Sequence, residues 1–303
     1  MAKIGALVYD GGRFRKIKPF KRTAMTLTQI VLLALIQGFA ELLPVSSSAH
    51  VIVAEKLMGL DPANPEMTLL LLMLHTGTML SVLVYFRKAW VRNYFQSGSR
   101  ALAFGKQIAI ATLGTVVVGF GLKFLIEKIV LRATPGAEVE MLFGNLTIIS
   151  IALVCAGILI LFAASQAKKM EGRSGFGFSS SLIVGLVQGL CLPFRGFSRS
   201  GATISTGLLL GWGRVPAEDF SFALALVITP PLLLKEIHRL LKAQALSGQT
   251  ASLFVPGLLG MVFSFLAGLL ALKWLSNWLS QGRWSYFGIY CLVFSALVWF
   301  FLR

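Results

Sequence analysis

Apolar runs long enough to cross a bilayer recur along this chain and leave little room for a soluble fold. They cover roughly residues 69–86, 107–126, 142–164, 219–234, 252–272 and 284–302. About twenty apolar residues match the hydrocarbon thickness of a membrane. Charged connections separate the runs, among them "RKAWVRNYFQSGSR", "EKIVLRATPGAEVE" and "QAKKMEGRSGFG". Composition agrees: 56% of residues are hydrophobic and 13% charged, where soluble domains carry about a quarter charged residues. One run, "DFSFALALVITPPLLL", is short, and Pro230-Pro231 is expected to kink or end its helix.

Two more apolar regions, 26–58 and 181–212, are interrupted at their midpoints by Gly, Pro and Ser. Neither half of either region is long enough to cross a bilayer. Non-helical backbone at membrane depth survives only when it is buried in protein or lines a wet cavity. Both regions are therefore expected to be re-entrant helix pairs, entering and leaving by the same face.

The interrupted regions also resemble each other. Aligning Gln37-Gly38 with Gln188-Gly189 sets Ser47 opposite Ser198 and Ser48 opposite Arg199. A short loop and three spans follow each region, so the second copy must be inverted relative to the first. The expected architecture is an all-α polytopic integral membrane protein with six transmembrane helices and two re-entrant pairs. Residues 1–25 form a basic N-terminal tail, and 26–303 form one membrane domain of two repeats, about 26–164 and 181–303. Broken helices that meet near the midplane of an inverted repeat build ligand sites in transporters.

The net charge of +16 suits a membrane protein with basic connections better than a nucleic-acid binder, because the basic residues form no face on a soluble fold. The inverted arrangement puts 87–106, 164–180 and 273–283 on one side, whose surplus of Lys and Arg makes that side cytoplasmic. The basic tail then falls outside, against the rule. It is expected to be a polar segment lying on anionic lipid headgroups, without the apolar stretch and cleavage site of a signal peptide. Cys155, Cys191 and Cys291 are widely spaced in apolar sequence and read as packing residues.

The chemistry is concentrated in the two breaks. In "QGFAELLPVSSSAH", Gln37 and Glu41 share a helix face at a spacing of four, and a carboxylate at membrane depth marks a functional site. Pro44 ends that helix. Ser46, Ser47 and Ser48 bring hydroxyls and the free N–H groups of a helix start, which suit an anion. His50 stands three residues after Ser47, one turn into the second helix. In "RGFSRSGAT", Ser198, Ser200 and Thr203 offer hydroxyls, Gly196 and Gly201 allow close backbone approach, and Arg199 offers a planar fork for phosphate oxygens. A plainer alternative has Arg199 doing no more than pairing with Glu41. The donors together suit a multiply charged anion such as a diphosphate, and a carboxylate beside a diphosphate suits a hard divalent cation.

These two stretches resemble the signature motifs of the undecaprenyl-diphosphate phosphatase (bacitracin-resistance) family, over nearly all the chain beyond the tail. The resemblance implies hydrolysis of a polyprenyl diphosphate lipid at the outer face of the cytoplasmic membrane, with Mg2+ or Ca2+ as cofactor. It implies catalytic roles for Glu41, Ser47, His50 and Arg199. Substrate contacts are expected from Gln37, Ser46, Ser48, Ser198, Ser200, Gly201 and Thr203, and metal ligation from Glu41 and Gln37. Membrane lipids are the expected partners and a homodimer is left open. The chain departs from the family pattern at Arg195, where proline is usual, and at Ala49, where glycine is common.

A lipid or small-solute transporter is the competing expectation, since it shares the architecture. A type-2 phosphatidic acid phosphatase needs a second histidine soon after its Ser-Arg pair. The next histidine here is His238, 39 residues on.

Overall fold

The computed structural model describes residues 7–10, 13–16, 25–60, 65–132, 139–172, 175–244 and 254–301. Strands β1 (Leu7–Asp10) and β2 (Arg13–Lys16) pair antiparallel, with Leu7 opposite Lys16. The tail thus contains a hairpin where only a polar segment was expected. The other described elements are helical.

The first interrupted region forms α1 (Leu27–Leu42) and α2 (Ser47–Leu57), and the second forms α6 (Phe178–Cys191) and α7 (Arg199–Leu209). Between and after them lie α3 (Pro65–Tyr94), α4 (Gly98–Leu125), α5 (Leu146–Met170), α8 (Arg214–Gln244), α9 (Phe254–Ser280) and α10 (Ser285–Phe301). Among the described residues five helices are long and apolar enough to cross a membrane: those containing Met67–Tyr94, Gly98–Ile129, Leu146–Met170, Arg214–Lys235 and Phe254–Ser280. The sixth expected span, α10, is apolar but has 17 residues. Leu113, Phe120, Phe162 and Leu270 are among the large apolar side chains exposed on these helices, as a lipid-facing surface requires.

Of the two outcomes expected at Pro230-Pro231, a kink or an end, the end is not seen, because α8 continues past both prolines. The two rings remove N–H donors, and within a membrane protein the freed carbonyls are tolerated when side chains and neighbouring helices compensate.

Packing is matched between the two halves and crosses from one to the other. Helix α1 lies against α9 of the second half, and α6 lies against α4 of the first; α5 meets α10, and α3 meets α8. The aligned glycines make the crossed contacts close. A Cβ on Gly38 would stand 2.5 Å from Ala267 Cβ, and one on Gly189 would stand 2.6 Å from Val118 Cβ. Connections 171–177, 210–213 and 281–284 gather at one end. There Gly172 N donates to Gly211 O at 3.1 Å, and Arg214 Nη1 to Ser280 O at 2.9 Å. At the opposite end Lys56 Nζ donates to Gly144 O at 3.4 Å.

Candidate active site at the meeting of the two breaks

Helix α1 stops where proline requires. Leu43, the residue before Pro44, is extended (φ −74°, ψ 150°), the conformation that a following proline ring imposes. The chain then turns within four residues to start α2. The turn includes Ser46 at φ 69°, the one non-glycine residue with positive φ among the described residues. Such a conformation costs about 1–3 kcal/mol and persists only where the surroundings enforce it. Here Ser46 O accepts from His50, with Nδ1 at 2.8 Å, while Cys291 Sγ donates to Pro44 O at 3.4 Å and Ser200 Oγ to Leu43 O at 3.4 Å. The last of these already joins the two breaks.

The second break turns on Gly196 (φ +106°), where a Cβ would lie 2.5 Å from Ile149 O. This glycine lets the segment press against α5. Ser198 then caps α7, its Oγ accepting from Gly201 N at 3.2 Å.

Glu41 is the hub. Its Oε1 accepts from Arg199 Nη2 at 2.6 Å, and its Oε2 accepts from Ser47 Oγ at 2.5 Å and Gln37 Nε2 at 3.1 Å. His75 of α3 brings Nε2 to 3.8 Å from Oε2, while its Nδ1 meets Leu71 O at 2.7 Å. That carbonyl can only accept, so Nδ1 carries a proton and, in neutral His75, Nε2 presents a lone pair to the site. Arg199 Nη1 also donates to Thr229 Oγ1 at 3.4 Å.

Two small, open clefts flank this cluster. One is lined by Glu41, Arg199, Thr78 and Thr229, the other by Gln37, Ser47, Ser48, Glu55 and Arg195, and His75 lines both. The residues of α2 on the second cleft follow a helical stripe from Ser47 to Glu55. That cleft therefore runs from the break toward the end of α2. A carboxylate, a hydroxyl that donates to it, a fork-shaped cation, a histidine and a helix start thus border the two clefts.

A family model described as bacitracin resistance protein BacA matches residues 30–297. The chain belongs to the BacA family. An undecaprenyl-diphosphatase 2 of Acinetobacter baylyi is 54% identical over 280 residues, covering 91% of this chain and 98% of the relative. Undecaprenyl-diphosphatases of Bacteroides fragilis and Desulfosudis oleivorans are 32% and 34% identical, each over 88% or more of this chain and 94% or more of the relative.

Within this BacA-family chain, the geometry sorts the residues expected from the sequence. Gln37, Glu41, Ser47 and Arg199 come together, and the Arg199–Glu41 pair that sequence allowed as a plain structural contact is present. His50 does not join them. Its Nε2 meets Tyr290 OH at 2.7 Å and its ring stacks on Phe294 with centroids 4.0 Å apart. Ser46 is buried at the strained turn, whereas Ser48 Oγ accepts from Arg195 Nη1 at 3.2 Å and lines a cleft. Ser198, Ser200, Gly201 and Thr203 are buried. Ser198 caps its helix, Ser200 holds Leu43 O, and Thr203 Oγ1 meets Ser221 Oγ at 2.6 Å.

Sequence reasoning passed over His75, which sits in "LLLLMLHTGTML" with no polar cluster around it. A histidine in a spanning run was itself the available signal. Buried Glu218 and Asp219 were also missed. They lie at the other end, where Ser276 Oγ donates to Glu218 Oε1 at 2.5 Å and Tyr94 OH donates to Asp219 Oδ2 at 3.0 Å. Among the described residues no group of three or more His, Cys, Asp and Glu gathers as a metal cage.

Proposed function

We propose that this protein hydrolyses undecaprenyl diphosphate to undecaprenyl phosphate and inorganic phosphate, recycling the cell-wall carrier lipid and conferring bacitracin resistance. The observation that carries this reading is the Ser47–Glu41–Arg199 cluster built across the two breaks. The printed activity of the relatives points to the same substrate.

The terminal phosphoryl group enters beside Ser47, and Arg199 turns its fork from Glu41 onto the phosphate oxygens. Ser47 Oγ attacks phosphorus, or positions the water that does. The proton of the attacking hydroxyl passes to Glu41 Oε2 or His75 Nε2, and the bond from phosphorus to the bridging oxygen breaks to release the lipid monophosphate. Where Ser47 is the attacking group, a water then attacks the phosphoserine, the Oγ–phosphorus bond breaks, inorganic phosphate leaves and Ser47 Oγ recovers its proton. The arginine and the N–H groups at the start of α2 face the charge that develops on the phosphoryl oxygens. His50 acts through the turn, by bonding Ser46 O and so fixing the Ser47 backbone.

A divalent cation, Mg2+ or Ca2+, fits the donor set in a limited way. Glu41 and the carbonyl oxygen of Gln37 supply two oxygen ligands, the number such ions use when phosphate and water complete the shell. Arg199 holds Glu41 Oε1 in the substrate-free site, so the fit requires the arginine to move to phosphate. The cation would neutralise charge on the diphosphate.

The same reading gives the chain six membrane crossings and two re-entrant pairs in an inverted repeat. The matched, crossed packing of α1 on α9 and α6 on α4 supports it. The end bearing 171–177, 210–213 and 281–284 faces the cytoplasm, and the site opens toward the outer face of the inner membrane. A transporter would share this architecture but release no phosphate. Phosphate release from a purified sample given undecaprenyl diphosphate, compared with lipid movement in liposomes, separates the two readings. Lipid movement without phosphate would overturn the hydrolase.

A further inference from the structure

We propose that Arg195 forms a second phosphate subsite, holding the lipid-proximal phosphoryl group while Ser47 and Arg199 engage the terminal one. This rests on the diphosphate reading above and adds to it a residue that the two signature motifs leave out.

The placement is specific. Arg195 stands in the second break, one residue before Gly196, whose close approach to Ile149 O fixes the local backbone. Its side chain crosses to the first repeat, where Nη1 donates to Ser48 Oγ at 3.2 Å. The guanidinium carbon lies 4.4 Å from the centroid of the Phe143 ring, a cation–π contact that orients the fork. It lines the same cleft as Gln37, Ser47, Ser48 and His75, while Arg199 lines the neighbouring cleft with Glu41. Ser47 reaches Glu41 from the Arg195 side. The hydroxyl that meets the reacting phosphorus is therefore flanked by one arginine on each side.

A diphosphate needs this arrangement and a single phosphoryl group does not. In a prenyl diphosphate the reacting phosphorus and its neighbour share one bridging oxygen, and both carry charge at neutral pH. If Arg199 takes the transferring group, the remaining group needs its own cation, and a lysine would offer only a point charge. Arg195 supplies that fork next to the N–H groups that begin α2. After cleavage the leaving monophosphate keeps only the Arg195 contact. Arg195 therefore sets affinity for the lipid-linked phosphates against inorganic phosphate.

The test uses the full-length protein in detergent, with Arg195→Gln and Arg195→Lys. Turnover of farnesyl diphosphate gives KM and kcat. Calorimetric binding compares farnesyl methylenediphosphonate, which cannot be cleaved at the bridge, with inorganic phosphate. Arg195→Gln is expected to raise KM and weaken the diphosphonate by about tenfold or more, the equivalent of one charge-assisted hydrogen bond. Its kcat and its affinity for inorganic phosphate should stay within about twofold. Arg195→Lys should fall between wild type and Arg195→Gln and, if the glutamine variant does not fold, carries the same test. A purely structural arginine would lower the melting temperature and weaken both ligands alike. That result, or an unchanged ratio of the two affinities in either folded variant, overturns the proposal. A wild type that binds the diphosphonate through Arg195 yet releases no phosphate would overturn the hydrolase reading and leave this one standing.

Discussion

Arg199 Nη2 lies 2.6 Å from Glu41 Oε1, a contact between residues 158 positions apart and one from each break. Both side chains keep some exposure, 22% and 15%, so the pair borders the clefts instead of being sealed in the core. A pair that only held the repeats together would tolerate any cation of similar reach. A phosphate fork would not. Arg199→Lys is expected to fold with a melting temperature near wild type while kcat/KM for a prenyl diphosphate falls by about a hundredfold. Lysine variants with near-normal turnover would reduce Arg199 to a structural tie.

Ser47 donates to Glu41 Oε2 at 2.5 Å and lines a cleft. Removing its hydroxyl costs about 1 kcal/mol of stability or less. Turnover by Ser47→Ala should nevertheless drop at least a thousandfold if Ser47 is the nucleophile. A rapid-quench search for phosphoserine should find the intermediate in wild type. Retention of most activity in Ser47→Ala would leave water as the attacking group.

The two histidines of this region make opposite predictions. His75 lines both clefts, meets Leu71 O through Nδ1 and stands 3.8 Å from Glu41 Oε2, so His75→Asn should lower kcat and leave thermal stability almost unchanged. His50 is held by Ser46 O, Tyr290 OH and Phe294. His50→Asn should lower both activity and stability, the latter by about 1–2 kcal/mol. Tyr290→Phe should reproduce part of the activity loss. Full activity in Tyr290→Phe combined with inactivity in a stable His50→Asn would restore His50 to direct chemistry.

In the proposed site Glu41 and Gln37 would hold a divalent cation whose remaining ligands come largely from the substrate and water. EDTA should abolish phosphate release, with recovery on adding Mg2+ or Ca2+. Glu41→Asp should raise the cation concentration for half-maximal rate by about tenfold. Activity that persists in EDTA would remove the metal from the account.

Much of the site was legible because its breaks violate membrane physics in plain view. Pro44, three serines and a carboxylate in an apolar run have no cheap explanation other than a buried polar pocket, and the aligned Gln-Gly pairs announced the partner segment. The role of each aligned residue was not legible. Ser47 and Ser198 align, yet Ser47 donates to Glu41 while Ser198 caps Gly201. The position aligned with Glu41 is Leu192, so the second copy has no carboxylate to face its serine. His50 was misjudged from spacing alone. Three residues turn a helix through about 300°, so His50 diverges from Ser47 by about 60°, far enough to meet α10 instead.

Long-range placement was the other blind spot. Nothing local in "MLHTG" says that α3 carries its histidine to Glu41, and Pro230-Pro231 reads as a possible break until the packed neighbours of α8 are seen. The crossed packing of α1 on α9 follows from Gly38 only once the partner surface of Ser264, Ala267 and Gly268 is known.

The central claim is that the two breaks form one phosphate site through Glu41 and Arg199. A double-mutant cycle on kcat/KM tests it most directly, using Glu41→Gln, Arg199→Ala and the double variant with undecaprenyl diphosphate in detergent. Residues acting as one unit are strongly non-additive, so the double variant should be about as impaired as the worse single one. Losses that simply multiply would mean that Glu41 and Arg199 act independently, and would contradict a shared site.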